Sequence, residues 1–297
     1  MRSILAITIV ALFDGAVGNA QTATNLIVTP SSAIFDCKNI AGVPMDAAPG
    51  FPFGSFQSTG GPATLCGSGG SSYKTDMYFT PESLFGGRSV KIGDIASISY
   101  WTKNATTHIV DPRDWYLVIY TKKYPSQLSG WYGARIGTEP YSSENLTDPP
   151  NKWARWTTGG PVNQLRFFES TYGYFGSYSD PHWAAFIAGN SLGGGHGPSV
   201  PYANQPILSF SVQTASTWAA GFTGKLDGLR IQLTDLSVAT INFEPFLVAT
   251  DKEACKDNGW MNLHRADGGT FKNQGDCIAY VNAGKESQTE ESDEGDK

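Results

Sequence analysis

The chain lacks a run of apolar residues long enough to span a bilayer after its first twenty residues, which excludes a helical membrane anchor in the body. It lacks a C-x-x-C pair, and its four histidines, His108, His182, His196 and His264, are scattered, so zinc-ligand spacing is missing. Clustered Lys and Arg are missing too. The pair Lys122-Lys123 is too small for a nucleic-acid footprint, so no nucleic-acid partner is expected. There is no D-x-D-x-D calcium string, no E-x-D-x-x-E pattern of the kind many sandwich glucanases carry on one strand, and no repeat at solenoid or propeller period.

What is present begins with a targeting segment. Arg2, the apolar stretch Ile4 to Phe13 and the small residues Gly18-Asn19-Ala20 read as a signal peptide over residues 1–20, which predicts a secreted, extracellular or cell-surface protein. The four cysteines then fall in an oxidising compartment and are expected as disulfides. Three connectivities exist. Neighbour pairing, Cys37 with Cys66 and Cys255 with Cys277, closes the shortest loops. The formal charge of −6 is uneven: after Gly284 come six carboxylates, two lysines and nothing apolar, so residues 284–297 read as a disordered acidic tail.

The body between these ends carries strand signals. Short strands are predicted at Leu26–Val28 and Lys74–Phe79, in a stretch from Asn25 to Gly93 rich in Gly, Pro and Ser. In Trp115–Tyr120 both faces are apolar, as in a central sandwich strand, with Trp115, Leu117 and Ile119 on one side and Tyr116, Val118 and Tyr120 on the other. Further strands are predicted at Ile95–Thr102, Trp131–Ile136, Gln164–Glu169 and Ile207–Val212. A closing hairpin places Leu229, Ile231 and Leu233 against Ala239, Ile241 and Phe243 on one face. One short helix is predicted, capped by Asp180, opened by Pro181 and striped by Trp183, Phe186 and Ile187. The pattern is all-β: an antiparallel β-sandwich over residues 25–248, a small disulfide-closed element over 250–283, then the tail.

Several segments resemble a family of secreted bacterial proteins with a concanavalin-like or jelly-roll sandwich. They are Gly86-Gly87-Arg88 leading into Ile92–Tyr100, the run Asn151–Trp156, and the hairpin ending Asn242-Phe243-Glu244-Pro245. The likeness covers roughly residues 75–246. Cys255–Trp260 and Phe271–Cys277 resemble a small C-terminal motif of similar exported proteins. The resemblance carries over no catalytic residue. The wider superfamily includes carbohydrate-binding modules and glycan-cleaving enzymes, so it implies a fold and leaves the chemistry open.

Three chemistries are weighed on the residues themselves. Gly189-Asn190-Ser191-Leu192-Gly193 matches G-x-S-x-G, but a helix precedes and a glycine loop with His196 follows, the reverse of a nucleophile elbow. Glu139, Glu169, Asp227 and Glu244 are candidates for a paired-carboxylate glycosidase or lyase site, with a rim pairing of Glu244 to Arg230 as the bland alternative. The aromatics are the stronger lead. Sugar rings stack a C–H face on an aromatic ring and hydrogen-bond at the edge. Trp131, Trp153, Trp156, Tyr172 and Tyr174, with Arg166 and Asn151 at the edge, are therefore expected to gather on one shelf and bind polysaccharide or cell-surface glycan. Core packing of these rings is the alternative, as is a structural or adhesive role. The expected metal is a structural calcium, for which Asp111, Asp114, Asp227 and Asp235 are available without an assignable set. Asn104-Ala105-Thr106 and Asn145-Leu146-Thr147 are sequons, relevant only in a eukaryotic host.

Overall fold

The computed structural model describes residues 22–64, 66, 73–123, 131–171, 176–191, 199–215 and 220–290, the last six by backbone alone. Residues 1–20, read above as a signal peptide, lie outside the described residues. In chain order the strands are β1 (Ala23–Val28), β2 (Phe35–Cys37), β3 (Ile40–Pro44), β4 (Gly54–Ser58), β5 (Asp76–Phe79), β6 (Ile95–Lys103) and β7 (Tyr116–Thr121). They continue with β8 (Arg135–Thr138), β9 (Ala154–Thr157), β10 (Phe168–Glu169), β11 (Ile207–Gln213), β12 (Lys225–Leu233) and β13 (Val238–Phe243).

These strands form two sheets. A six-stranded sheet runs β10-β8-β7-β11-β5-β2. A seven-stranded sheet is built around β12, which pairs β6 along one edge. Its other edge is used twice: Lys225 and Leu226 pair β4, and Leu229 to Gln232 pair β13. Gly228, at a positive φ of 61°, sits where the β12–β6 register shifts. A Cβ there would lie 2.3 Å from the Phe51 ring, so the kink admits only glycine.

The inner faces of both sheets share one core. Phe56, Ile98, Tyr100, Leu229, Ile231 and Phe243 from the larger sheet meet Met77, Phe79, Leu117, Ile119, Ile136 and Phe210 from the smaller. The hairpin alternation holds, with Leu229, Ile231, Ala239, Ile241 and Phe243 fully buried. The architecture is mostly β and sandwich-like.

Several expectations need correction. The sheets are not wholly antiparallel, because β1 runs parallel to β13 from Ala23↔Val238 to Val28↔Phe243. Alternation tells which face a residue takes, not which way its neighbour runs. The strand expected at Trp131–Ile136 starts at Arg135, and that at Gln164–Glu169 shrinks to Phe168–Glu169 with isolated bridges before it. Among the described residues three α-helices replace one. α1 (Pro81–Leu84) is capped by Thr80, whose Oγ1 accepts from the Ser83 amide at 3.2 Å. α2 (Trp183–Ile187) is the expected helix, but Asp180 does not cap it. Its carboxylate turns back to accept from the Ser177 amide at 2.6 Å.

The third helix, α3 (Gln274–Glu290), passes Gly284 into the stretch read as a tail, and residues 291–297 lie outside the described residues. It packs Cys277 and Val281 on Ala249, Cys255, Leu263 and Phe271 in a small separate core. Arg265 lies over the rings of Phe271 and Tyr280, 5.0 and 5.2 Å from their centroids, and pairs with Asp276. Both disulfides are the neighbour pairs, Cys37–Cys66 and Cys255–Cys277.

Candidate functional site

The outer face of the six-stranded sheet is built by strands whose second faces are not simply solvated. On β7 the side away from the core carries Tyr116, Val118 and Tyr120, which cluster with Tyr78, Tyr132, Leu208 and Ala215. Register sets their neighbours. One row across β5, β11 and β7 is Asp76, Gln213 and Tyr116. The next is Tyr78, Ser211 and Val118, continued by Gly137 on β8. The third is Ser209, Tyr120 and Arg135. Neighbouring strands lie about 4.8 Å apart, so each row places its side chains in mutual reach.

Trp131 lies over this bed. Its ring centroid is 4.6 Å from Tyr120, 4.9 Å from Tyr132 and 6.0 Å from Tyr78, yet the residue is 54% exposed. On the same sheet face, Ser209, Ser211 and Gln213 are buried. The hydroxyl oxygens of both serines, Gln213 Nε2 and Arg135 Nε have no hydrogen-bond partner. A buried polar group left unpaired costs about 1–3 kcal/mol, so four on one sheet face call for a reason beyond stability.

Other polar groups on this face are engaged. Asp76 is fully buried and accepts from the Cys37 amide at 2.6 Å and Tyr78 Oη at 3.2 Å, and pairs with Lys74 at 2.6 Å. Burial pushes the Tyr78 and Tyr116 phenols above their usual range; at Tyr116 the Arg135 charge pulls the other way. Burial also raises the Glu139 carboxyl, again opposed by Arg135. Asp36, Cys37 and Asp76 lie close enough to hold a cation, but Cys37 is in a disulfide and offers no thiolate.

The structure disperses the expected shelf. Trp131 is on this face. Trp153 is on the outer side of the opposite sheet, where its Nε1 donates to Asp46 at 3.3 Å and Lys103 Nζ sits 5.9 Å from its ring. Asn151 is exposed beside it in a left-handed conformation, its amide donating to the Asn104 carbonyl at 2.7 Å. Trp156 is no platform. It is fully buried because it points inward from β9, and its Nε1 donates to Thr102 Oγ1 at 2.7 Å. Arg166 donates to the Asp180 carbonyl at 2.7 Å and lies 3.6 Å from Glu144, occupied in its own loop. Tyr172 and Tyr174 lie outside the described residues.

The four carboxylates fall in three places. Glu139 is on the outer face of the six-stranded sheet. Glu169 accepts from Thr171 and Tyr202 at the rim of an apolar cavity of about 350 Å³, floored by Phe167 and Phe186. Asp227 and Glu244 are buried on the far sheet. Burial raises Asp227 to about 7, although the amides of Ala48, Phe243 and Gly228 donate to it. Burial likewise raises Glu244 to about 8, against a hydrogen bond from Asn242. Arg230 does not pair with Glu244; it donates to Gln232 at 3.3 Å. Above this pair the β3–β4 connection is held by Asp46, which pairs with Lys103 and Lys225.

The aspartates considered for calcium are spread as well. Asp111 pairs with Arg113, Asp235 with Arg88, and Asp114 accepts from Thr102 and contacts His108 Nε2 at 3.0 Å. His108 is a buried, satisfied histidine, with Nδ1 2.6 Å from Asp148. Burial works to lower its pKa, but the two aspartates hold it above the usual value. Ser191 accepts from the Val200 amide at 3.1 Å and follows a helix, unlike a nucleophile elbow.

No family model, no curated protein and no solved structure matches the chain. What stands of the resemblance is its coarse part, a mostly β chain with two sheets. The residues sequence reasoning missed include Ser209, Ser211 and Gln213. Their signal was the polar alternation in Ile207–Gln213, a strand whose other face, Ile207, Phe210 and Val212, is core.

Proposed function

We propose that this is a secreted jelly-roll, concanavalin-like sandwich protein that binds polysaccharide or cell-surface glycan through the outer face of its six-stranded sheet. The observation that carries the reading is an exposed Trp131 ring on a bed of tyrosines, beside buried hydroxyl and amide groups with no partner. A sugar ring stacks on the first. Two disulfides suit an oxidising compartment, and no helix among the described residues is long and apolar enough to cross a membrane.

The test is retention of the purified protein on insoluble polysaccharides and on a glycan array. Wild type is expected to be retained. Trp131→Ala is expected to lose about tenfold or more in affinity, the worth of one good aromatic contact. Trp153→Ala, on the opposite face, is expected to keep it. Retention by neither wild type nor variant on any glycan overturns the proposal, as does binding that needs Trp153 and not Trp131.

A further inference from the structure

We infer that the glycan taken by this face is acidic, with a sugar carboxylate seated on the Arg135 guanidinium. The inference rests on the glycan-binding reading and adds the ligand's charge.

Arg135 leaves β8 on the outer face, in the row with Tyr120 and Ser209. It is half-buried, and its Nε is enclosed without a hydrogen-bond partner. Its surroundings are phenolic: Tyr120, Tyr116, Tyr132 and Tyr78 all act on its charge. Among the described residues it takes part in no salt bridge, whereas Arg88, Arg113, Arg166 and Arg265 each pair with a carboxylate. The internal segments outside the described residues, 65, 67–72, 124–130, 172–175, 192–198 and 216–219, contain neither Asp nor Glu. They have no side-chain carboxylate to offer it.

The two acids nearest in the rows do not serve. Asp76 is already bound by Lys74, the Cys37 amide and Tyr78. Glu139 feels the Arg135 charge, but no ion pair forms between them, and burial favours its neutral form. Among the described residues this partly buried cation has no counter-ion, an arrangement that an arriving anion would relieve.

Other unused polar groups lie on the same sheet face. Gln213 Nε2, two strands away in the Tyr116 row, is a second unused N–H donor. Ser209 and Ser211 add hydroxyls that can turn either way. A carboxylate accepts in a plane that matches the guanidinium fork, whereas a sugar hydroxyl meets only one of its donors. Trp131 beside this cluster supplies the stacking surface for the same sugar.

The experiment compares ligands that share a backbone and differ in charge. The full chain is run in affinity electrophoresis through de-esterified polygalacturonate, fully methyl-esterified polygalacturonate, a neutral xylan and a sulfated galactan. Wild type is expected to bind the de-esterified polymer roughly 10- to 100-fold more tightly than its methyl ester, the range of a charge-assisted pair. Raising salt is expected to narrow the gap. Arg135→Gln is expected to bind both polymers alike, at the level of the ester, with Arg135→Lys between. Thermal unfolding checks that both variants fold; the wild-type comparison of acid with ester stands without them.

Equal binding of acid and ester, with Trp131 still required, overturns the carboxylate assignment and leaves glycan binding intact. Preference for the sulfated galactan over polygalacturonate also overturns it. An acid preference that survives in folded Arg135→Gln removes Arg135 from the site. No retention by any of the four polymers overturns the acidic assignment and leaves the glycan reading to be decided on the array.

Discussion

Glu244→Gln tests whether a carboxyl buried under the β3–β4 connection is neutral in the folded protein. Glu244 is 1% exposed, its Oε1 accepts from Asn242 at 2.6 Å, and its Oε2 has no partner. Burial is the main cause that raises it to about 8, with the Asp227 charge adding to it and Asn242 opposing. In the unfolded chain the same group titrates near about 4.3. Between those values the folded protein holds a proton that the unfolded chain releases. Wild-type stability from this group is therefore full below about pH 4, falls as pH rises, and levels above about 8. Each pH unit is worth about 1.4 kcal/mol, so the ceiling is about 5 kcal/mol and the working expectation about 2–4 kcal/mol. Asp227, raised to about 7, contributes the same sign over a shorter window. Carboxylates held low, such as Asp46 and Asp111, contribute the opposite sign, but they are common to both proteins and cancel in the difference. Urea unfolding followed by tryptophan fluorescence from pH 4 to 9 measures that difference. The variant is expected to gain on wild type steadily from pH 5 to 8, then run parallel. A difference that stays constant across the range means that Glu244 is ionised in the fold, and the reasoning fails.

Two more outcomes follow from packing. Trp156→Phe keeps the ring in the core but loses its hydrogen bond to Thr102, whose hydroxyl in turn donates to Asp114 beside His108; a loss of about 1–3 kcal/mol in chemical denaturation is expected, with glycan retention unchanged. Replacing Cys255 and Cys277 by Ser opens a loop of sequence separation 22 and is expected to weaken the C-terminal element by roughly 3 kcal/mol, read as earlier proteolysis there while the sandwich transition stays in place.

The parts of the fold legible in the sequence are those where one face is all apolar. The two-sided strand Trp115–Tyr120 divides as its alternation predicts, with Leu117 in the core and Tyr116, Val118 and Tyr120 outside it. The closing hairpin and both disulfides were readable for similar reasons: period and loop length. β3 and β4 were not, because their recognition lies in Gly42 and Gly54 admitting Pro245, a residue far later in the chain. A Cβ on Gly42 would stand 2.3 Å from Pro245 Cα. α3 escaped notice because its apolar positions are few and its start depends on Asn273, whose Oδ1 accepts from the Asp276 amide at 2.9 Å. Of the candidate site, Trp131 was named from its chemistry, but its separation from Trp153 was not legible. Loops in a sandwich leave from either side, and only strand order decides which side each one meets. Trp156 was misplaced because one residue of register moves a side chain from surface to core.

The anchoring of Asp46 has a consequence for how the larger sheet is held together. Lys103 and Lys225 stand directly opposite each other on β6 and β12, and both reach the same carboxylate. Two ammonium groups in cross-strand register repel, so the sheet carries a built-in electrostatic fault that a connection from elsewhere in the chain neutralises. Lifting that connection would expose like charges and uncover Asp227 and Glu244 in one motion. The hairpin link is thus fastened by the very surface it hides.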